Sequence, residues 1–156
     1  MKIIVNSINQ TYSEDGNTKQ IIVAFSGNST NGSGDYLSSS VNVTAKELPE
    51  DKTFDDLLDS ETETLGRKKL ANYAAGTGAM KIRVSSINRV FNQLGETINA
   101  VVSMVGTASD GSGDYINYRK TITSADLPEG KTYAEMSAGA LKALAKSQLV
   151  NDTKFA

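Results

Sequence analysis

Cysteine, histidine and tryptophan are absent from these 156 residues, and only two prolines occur. Without cysteine there are no disulfides and no thiol chemistry. Without histidine the chain lacks the commonest general base, the commonest metal ligand and the usual pH switch. Zinc sites and Ser-His-Asp or Cys-His machinery are therefore not expected. Basic and acidic residues number 16 and 18, a net charge of -2, so there is no overall basic field for nucleic acid. No apolar run is long enough to span a bilayer, and no membrane association is expected. The stretch MKIIVNSINQTYSEDGN holds too short an apolar segment for a signal-peptide core, and no small-residue cleavage site follows it. The expected location is cytoplasmic or virion-associated.

The two prolines, Pro49 and Pro128, lie 79 positions apart. So do NGSGDY at 31–36 and DGSGDY at 110–115, and LPEDKTF and LPEGKTY. Residues 1–77 overlay 80–156 without a gap, with about a third of positions identical. A period of this length is too long for a solenoid repeat and marks a small domain or half-domain written twice. The boundaries are a first copy at 1–73, a linker at 74–79 (Ala-Ala-Gly-Thr-Gly-Ala) and a second copy at 80–156. A natural fusion and an engineered tether fit the junction equally.

The two copies assign each other's faces. Ile3 and Val5 match Ile82 and Val84, whereas Ile4 matches Arg83, so residues 3 and 5 face a core and residue 4 faces outward. Gly16 and Gly95 align in a turn that needs positive φ. The second strand, 19–27 and 98–106, turns Ile21, Val23, Phe25 and Ala100, Val102, Met104 inward. Ile22 and Val101 lie on its opposite face, where the sister copy is a candidate cover. A third strand at 36–45 and 115–124 buries Leu37, Val43, Ile116 and Ile122. A helix follows, with Thr53 and Asp56, or Thr132 and Glu135, in capping-box spacing. Apolar residues then recur at helical intervals: Phe54, Leu57, Leu58, Leu65 and Tyr133, Met136, Ala140, Leu141, Leu144.

The expected fold class is α+β: a tandem duplication of a β-β-β-α unit, with antiparallel sheets and one helix per copy, packed as a pseudo-twofold dimer. One copy of ~77 residues buries only ~60% of its unfolded surface, which makes it marginal alone. Packing between copies supplies the missing core. Two three-stranded sheets, joined or packed around the axis, are the expected arrangement.

The Gly-Ser-Gly-Asp loops offer Asn31, Ser33 and Asp35, or Asp110, Ser112 and Asp114, at the first three ligand positions of a calcium loop. Position 12 then holds Asn42 or Thr121 instead of glutamate, and strands replace the flanking helices. The reading is a flexible connector, with no metal and no cofactor. The loops also fail the phosphate-binding pattern, because a strand follows and no Lys-Ser/Thr does. A partner-binding surface is expected at Asp35, Tyr36, Asp114, Tyr115, Tyr118 and Arg119, tyrosine giving large contact area at low entropic cost. Lys146 with Arg67, Lys68 and Lys69 reads as the solvated face of a helix.

The stretch GSGDYINYRKTITSADLPEGKTYAEM resembles small proteins encoded by phages and prophages of Gram-positive bacteria, many without an assigned role. The resemblance implies a mobile-element origin and a strand pair, a G-D-Y turn, a further strand and a capped helix. It carries over no catalytic residues. The expectation is a non-enzymatic protein-binding or assembly module, with copy-to-copy packing inside the chain, a protein partner and no nucleic acid. The alternative is a nucleic-acid accessory protein that uses the aromatic and basic strand face, including Arg119 and Lys120.

Overall fold

The computed structural model describes residues 1–154. In chain order it contains β1 (Lys2–Tyr12), β2 (Thr18–Asn28), β3 (Tyr36–Val43), α1 (Asp59–Ala75), β4 (Met80–Phe91), β5 (Thr97–Ala108), β6 (Tyr115–Ile122) and α2 (Ala138–Asp152). The fold is α+β. The strands form one antiparallel sheet in the order β1-β2-β3-β6-β5-β4, so what was expected as two three-stranded sheets, joined or packed, is a single six-stranded one. The reason is edge pairing. In a three-stranded sheet β3 or β6 would expose a row of unpaired backbone groups, and joining them removes both edges at once. The ladder runs from Tyr36↔Arg119 to Ser40↔Tyr115, with Ser38↔Asn117 at its centre. Outward from that central pair the strand order reads the same in both directions, so the sheet has an approximate dyad there.

Strand faces follow the alternation in the sequence. Ile3, Ile21, Val23, Phe25, Leu37, Val41, Val43, Ala100, Val102, Met104, Ile116 and Ile122 are buried. Each such large side chain contributes roughly 1.5–3 kcal/mol relative to exposure. β1 and β4 each carry a register shift early in the strand, between Val5 and Ser7 and between Val84 and Ser86, and a second near its end, between Thr11 and Tyr12 and between Val90 and Phe91. The extra residue at the first shift keeps Ile8 and Ile87 packed against the core after Val5 and Val84 have already pointed there. Both helices lie over the same side, since α1 contacts β3, β2 and α2, and α2 contacts β6 and β5. Ile22 and Val101 are half-buried on the other side by their neighbours in the sheet. The sister half does not cover them, because it sits beside them in the same layer.

The helices begin later than the capping pattern suggests. Thr53 and Asp56 close a single 3-10 turn, Phe54–Asp56, and Thr132 and Glu135 do the same for Tyr133–Glu135. Phe54 and Tyr133 are buried, and the chain leaves each turn extended, at Leu57 and Met136, before helix can resume. α1 then starts behind Leu58, whose N–H donates to Glu61, and α2 behind Ser137, whose hydroxyl accepts from the Ala140 N–H. Leu58 is therefore exposed and not part of the helical stripe. Gly66 lets α1 approach the sheet closely: a Cβ there would lie 3.0 Å from Val23 Cβ and 3.1 Å from Phe25 Cζ. The connection to the second half is tighter than a 74–79 linker. Ala74 is buried in the last turn of α1, Gly76 caps that helix at φ 82°, and β4 resumes at Met80.

Candidate functional site

The two Gly-Ser-Gly-Asp loops face inward across the dyad. Asp35 Oδ1 accepts from the Thr121 backbone N–H at 2.7 Å, and its Oδ2 pairs with Lys120 Nζ at 3.1 Å. The Thr121 hydroxyl donates to the Ser33 carbonyl. In the opposite sense, Asp114 Oδ1 accepts from the Asn42 backbone N–H at 2.7 Å and from Asn42 Nδ2 at 2.6 Å. Asp114 Oδ2 accepts from the Tyr73 hydroxyl at 2.7 Å and lies 3.3 Å from Lys69 Nζ. Each loop thus clasps the third strand of the other half just beyond the end of the β3–β6 ladder. Asn31 and Asp110 receive the N–H groups of Ser33 and Ser112 within their own loops, while Asp35 and Asp114 turn away. Burial works against the charge of Asp35, but the Thr121 N–H and hydroxyl and Lys120 outweigh it and hold this carboxyl below its ordinary range. Burial first, then the bond to Asp114, pushes the Tyr73 phenol well up.

Three of the six residues expected at a partner surface therefore lie inside the molecule. Asp35, Asp114 and Tyr118 are buried, and the Tyr118 hydroxyl donates to Asp152 Oδ2 at 2.8 Å. The other three, Tyr36, Tyr115 and Arg119, come together on the uncovered face, around the dyad. Tyr36 is directly opposite Arg119, and Tyr115 is opposite Ser40.

That face is built from three complete cross-strand rows. The middle row reads Ile4, Ser26, Ser38, Asn117, Val105, Arg83. On one side runs Lys2, Asn28, Tyr36, Arg119, Ser103, Ser86, and on the other Ser7, Ala24, Ser40, Tyr115, Thr107, Lys81. None of these residues is buried, whereas their strand neighbours form the core under the helices. The charge on the rows is of one sign. Lys2, Lys81, Arg83 and Arg119 are exposed and make no ion pair among the described residues. Across the six strands, seven of the sixteen basic residues are present and none of the eighteen acidic ones. The acids occupy the turns, the loops and the helix side. An acidic chain thus carries a basic face.

A second surface escaped the sequence reading. At the tip of the β4–β5 hairpin Val90, Phe91, Leu94 and Ile98 are exposed, Leu94 by 82%. The matching positions in the first half are Thr11, Tyr12, Asp15 and Lys19. The signal was present in that mismatch, polar in one half and apolar in the other.

No family model, no curated protein and no solved structure matches the chain. Among the described residues no cluster of three or more acidic side chains could hold a metal ion, and no helix is long and apolar enough to cross a membrane.

Proposed function

We propose that this chain is a non-enzymatic binding or assembly module whose working surface is the uncovered face of its sheet, and that the partner presents negative charge. The separation of charge carries this reading: cations and neutral polar groups on the strands, carboxylates elsewhere. Lys2, Lys81, Arg83 and Arg119 spread over six strands, about 24 Å at ordinary strand spacing. Among the described residues these exposed cations have no ion-pair partner, so an anion gains their attraction without first breaking an ion pair. The platform beneath is stiff, with β3 and β6 locked by five paired positions and two aspartate clasps. In this reading the repeat is a duplicated β-β-β-α unit, and the clasps are its internal dimer contacts.

The test is retention on immobilised heparin, a generic polyanion, at about 50 mM salt, where Coulomb attraction is only partly screened. The wild-type chain is expected to be retained despite its net charge of -2. Changing Lys2, Lys81, Arg83 and Arg119 together to glutamine abolishes retention. Changing the exposed Lys46, Lys68, Lys142 and Lys146 to glutamine alters net charge equally and leaves retention in place. A wild-type chain that flows through, or equal loss in both variants, refutes the proposal.

A further inference from the structure

Building on that reading, we infer that the negatively charged partner is a single-stranded nucleic acid, with Tyr36 and Tyr115 as the platforms on which its bases stack. Four features of the face point to this ligand over an acidic peptide or a duplex. First, the two tyrosines are the aromatic residues of the three central rows, one on each side of the dyad. Neither hydroxyl makes a hydrogen bond among the described residues. Tyr36 is 39% exposed and Tyr115 is half-buried. Their Cα atoms are one strand and four residues apart, about 14 Å by strand geometry. That is about four base-stacking rises, so each ring takes its own base.

Second, each tyrosine has a lysine two strands outward in its own row, Lys2 beyond Tyr36 and Lys81 beyond Tyr115. At about 10 Å from the ring position, these lysines flank the aromatic centre where a sugar-phosphate chain would pass. Arg119 and Arg83 add charge on the second half alone. Third, the remaining row positions are mostly serine, threonine and asparagine, including Ser26, Asn28, Ser38 and Asn117. Such groups both donate and accept, as base edges do, whereas a run of carboxylates only accepts. Fourth, the face is a broad sheet surface with no helix projecting from it, since both helices lie on the other side. Duplex reading requires an element that enters a groove, whereas unpaired bases offer their faces to a sheet directly.

The experiment is fluorescence anisotropy of a labelled twelve-nucleotide oligo-dT at 50 mM salt, with a duplex of the same length and poly-glutamate as competitors. Binding of the single strand is expected, with weaker competition from duplex and from poly-glutamate. With four cations engaged, the slope of log K against log salt is about -3, a loss of about 50-fold between 50 and 200 mM. The double change Tyr36→Leu with Tyr115→Leu lowers affinity by about 30-fold or more while heparin retention persists. Arg119→Gln, at an exposed position, lowers the salt slope by about 0.7. Three results overturn the inference: no oligonucleotide binding by a chain that heparin retains, poly-glutamate binding as tightly as oligo-dT, or leucine variants that bind like wild type. The first two leave the polyanion-binding face intact. Loss of heparin retention as well would remove that face from consideration altogether.

Discussion

Replacing Asp114 with alanine isolates the clasp that holds the two halves together. The carboxylate is fully buried and receives three hydrogen bonds, from the Asn42 N–H, Asn42 Nδ2 and the Tyr73 hydroxyl, beside the Lys69 ammonium. Alanine removes both oxygens. Asn42 Nδ2 keeps the Ser112 carbonyl, and Lys69 keeps Glu47 and the Asn42 carbonyl. The Asn42 N–H and the Tyr73 hydroxyl are left with nothing. Two stranded buried donors cost about 1–3 kcal/mol each. Lys69 stays paired with Glu47 and is not left as an uncompensated charge, so about 4 kcal/mol is the expected total for the two donors. For a chain of this length that lowers the melting temperature by about 8–16 °C. Asp114→Asn keeps the shape but turns an amide NH2 toward donors, and it falls between alanine and wild type. The assay is thermal unfolding by circular dichroism at pH 7, with the exposed Glu129→Ala as control. Hydrogen exchange at the Asn42 amide supplies a local readout and speeds up in the alanine variant. Melting of Asp114→Ala within about 2 °C of the control would refute the clasp as a principal source of stability.

Residues 1–77 and 80–156, produced separately, are each expected to be poorly folded and to regain strand signal on mixing. Circular dichroism of the mixture against the summed spectra checks this, and two independently stable monomers would contradict it. Acid should loosen the chain through Asp35 and Glu47. Burial opposes the charge of both, yet Thr121 and Lys120 around Asp35, and Thr44 and Lys69 around Glu47, hold them below the ordinary carboxylate range. Their contribution is complete above the unfolded values near 4 and is lost as pH falls through the lower folded values. Urea midpoints taken from pH 6 to 2 should decline more gently in Asp35→Asn than in wild type.

The strand faces were legible because the two halves align in sequence: Arg83 at the position of Ile4 decides which side meets water. Gly16 and Gly95 were legible for a local reason, a turn that requires positive φ. The joint between halves was not. β3 and β6 pair through Ser38, Ser39, Asn117 and their neighbours, and polar side chains on a strand leave register weakly specified. Nor does any local pattern reveal that Asp35 is bonded to a residue 86 positions away. The helix starts shifted because burial of Phe54 and Tyr133 overrides a valid capping signal, which then closes a turn instead. The basic face lay hidden in a total. Net charge averages over the molecule, and only division by strand and loop shows the carboxylates gathered elsewhere.

The crossed aspartates also decide where the two halves are at liberty to differ. A change at Asp35, Asn42, Asp114 or Thr121 is felt at once by the opposite half, because these sites are tied in two crossed pairs. The hairpin ends, five strands apart at the outer margins, answer to nobody but their own strand pair. It is there that Asp15 faces Leu94 and Lys19 faces Ile98 in the alignment of halves. At the seam the two carboxylates are the same residue, while what they clasp differs, Asn42 on one side and Thr121 on the other, each held by the aspartate that reaches across to it.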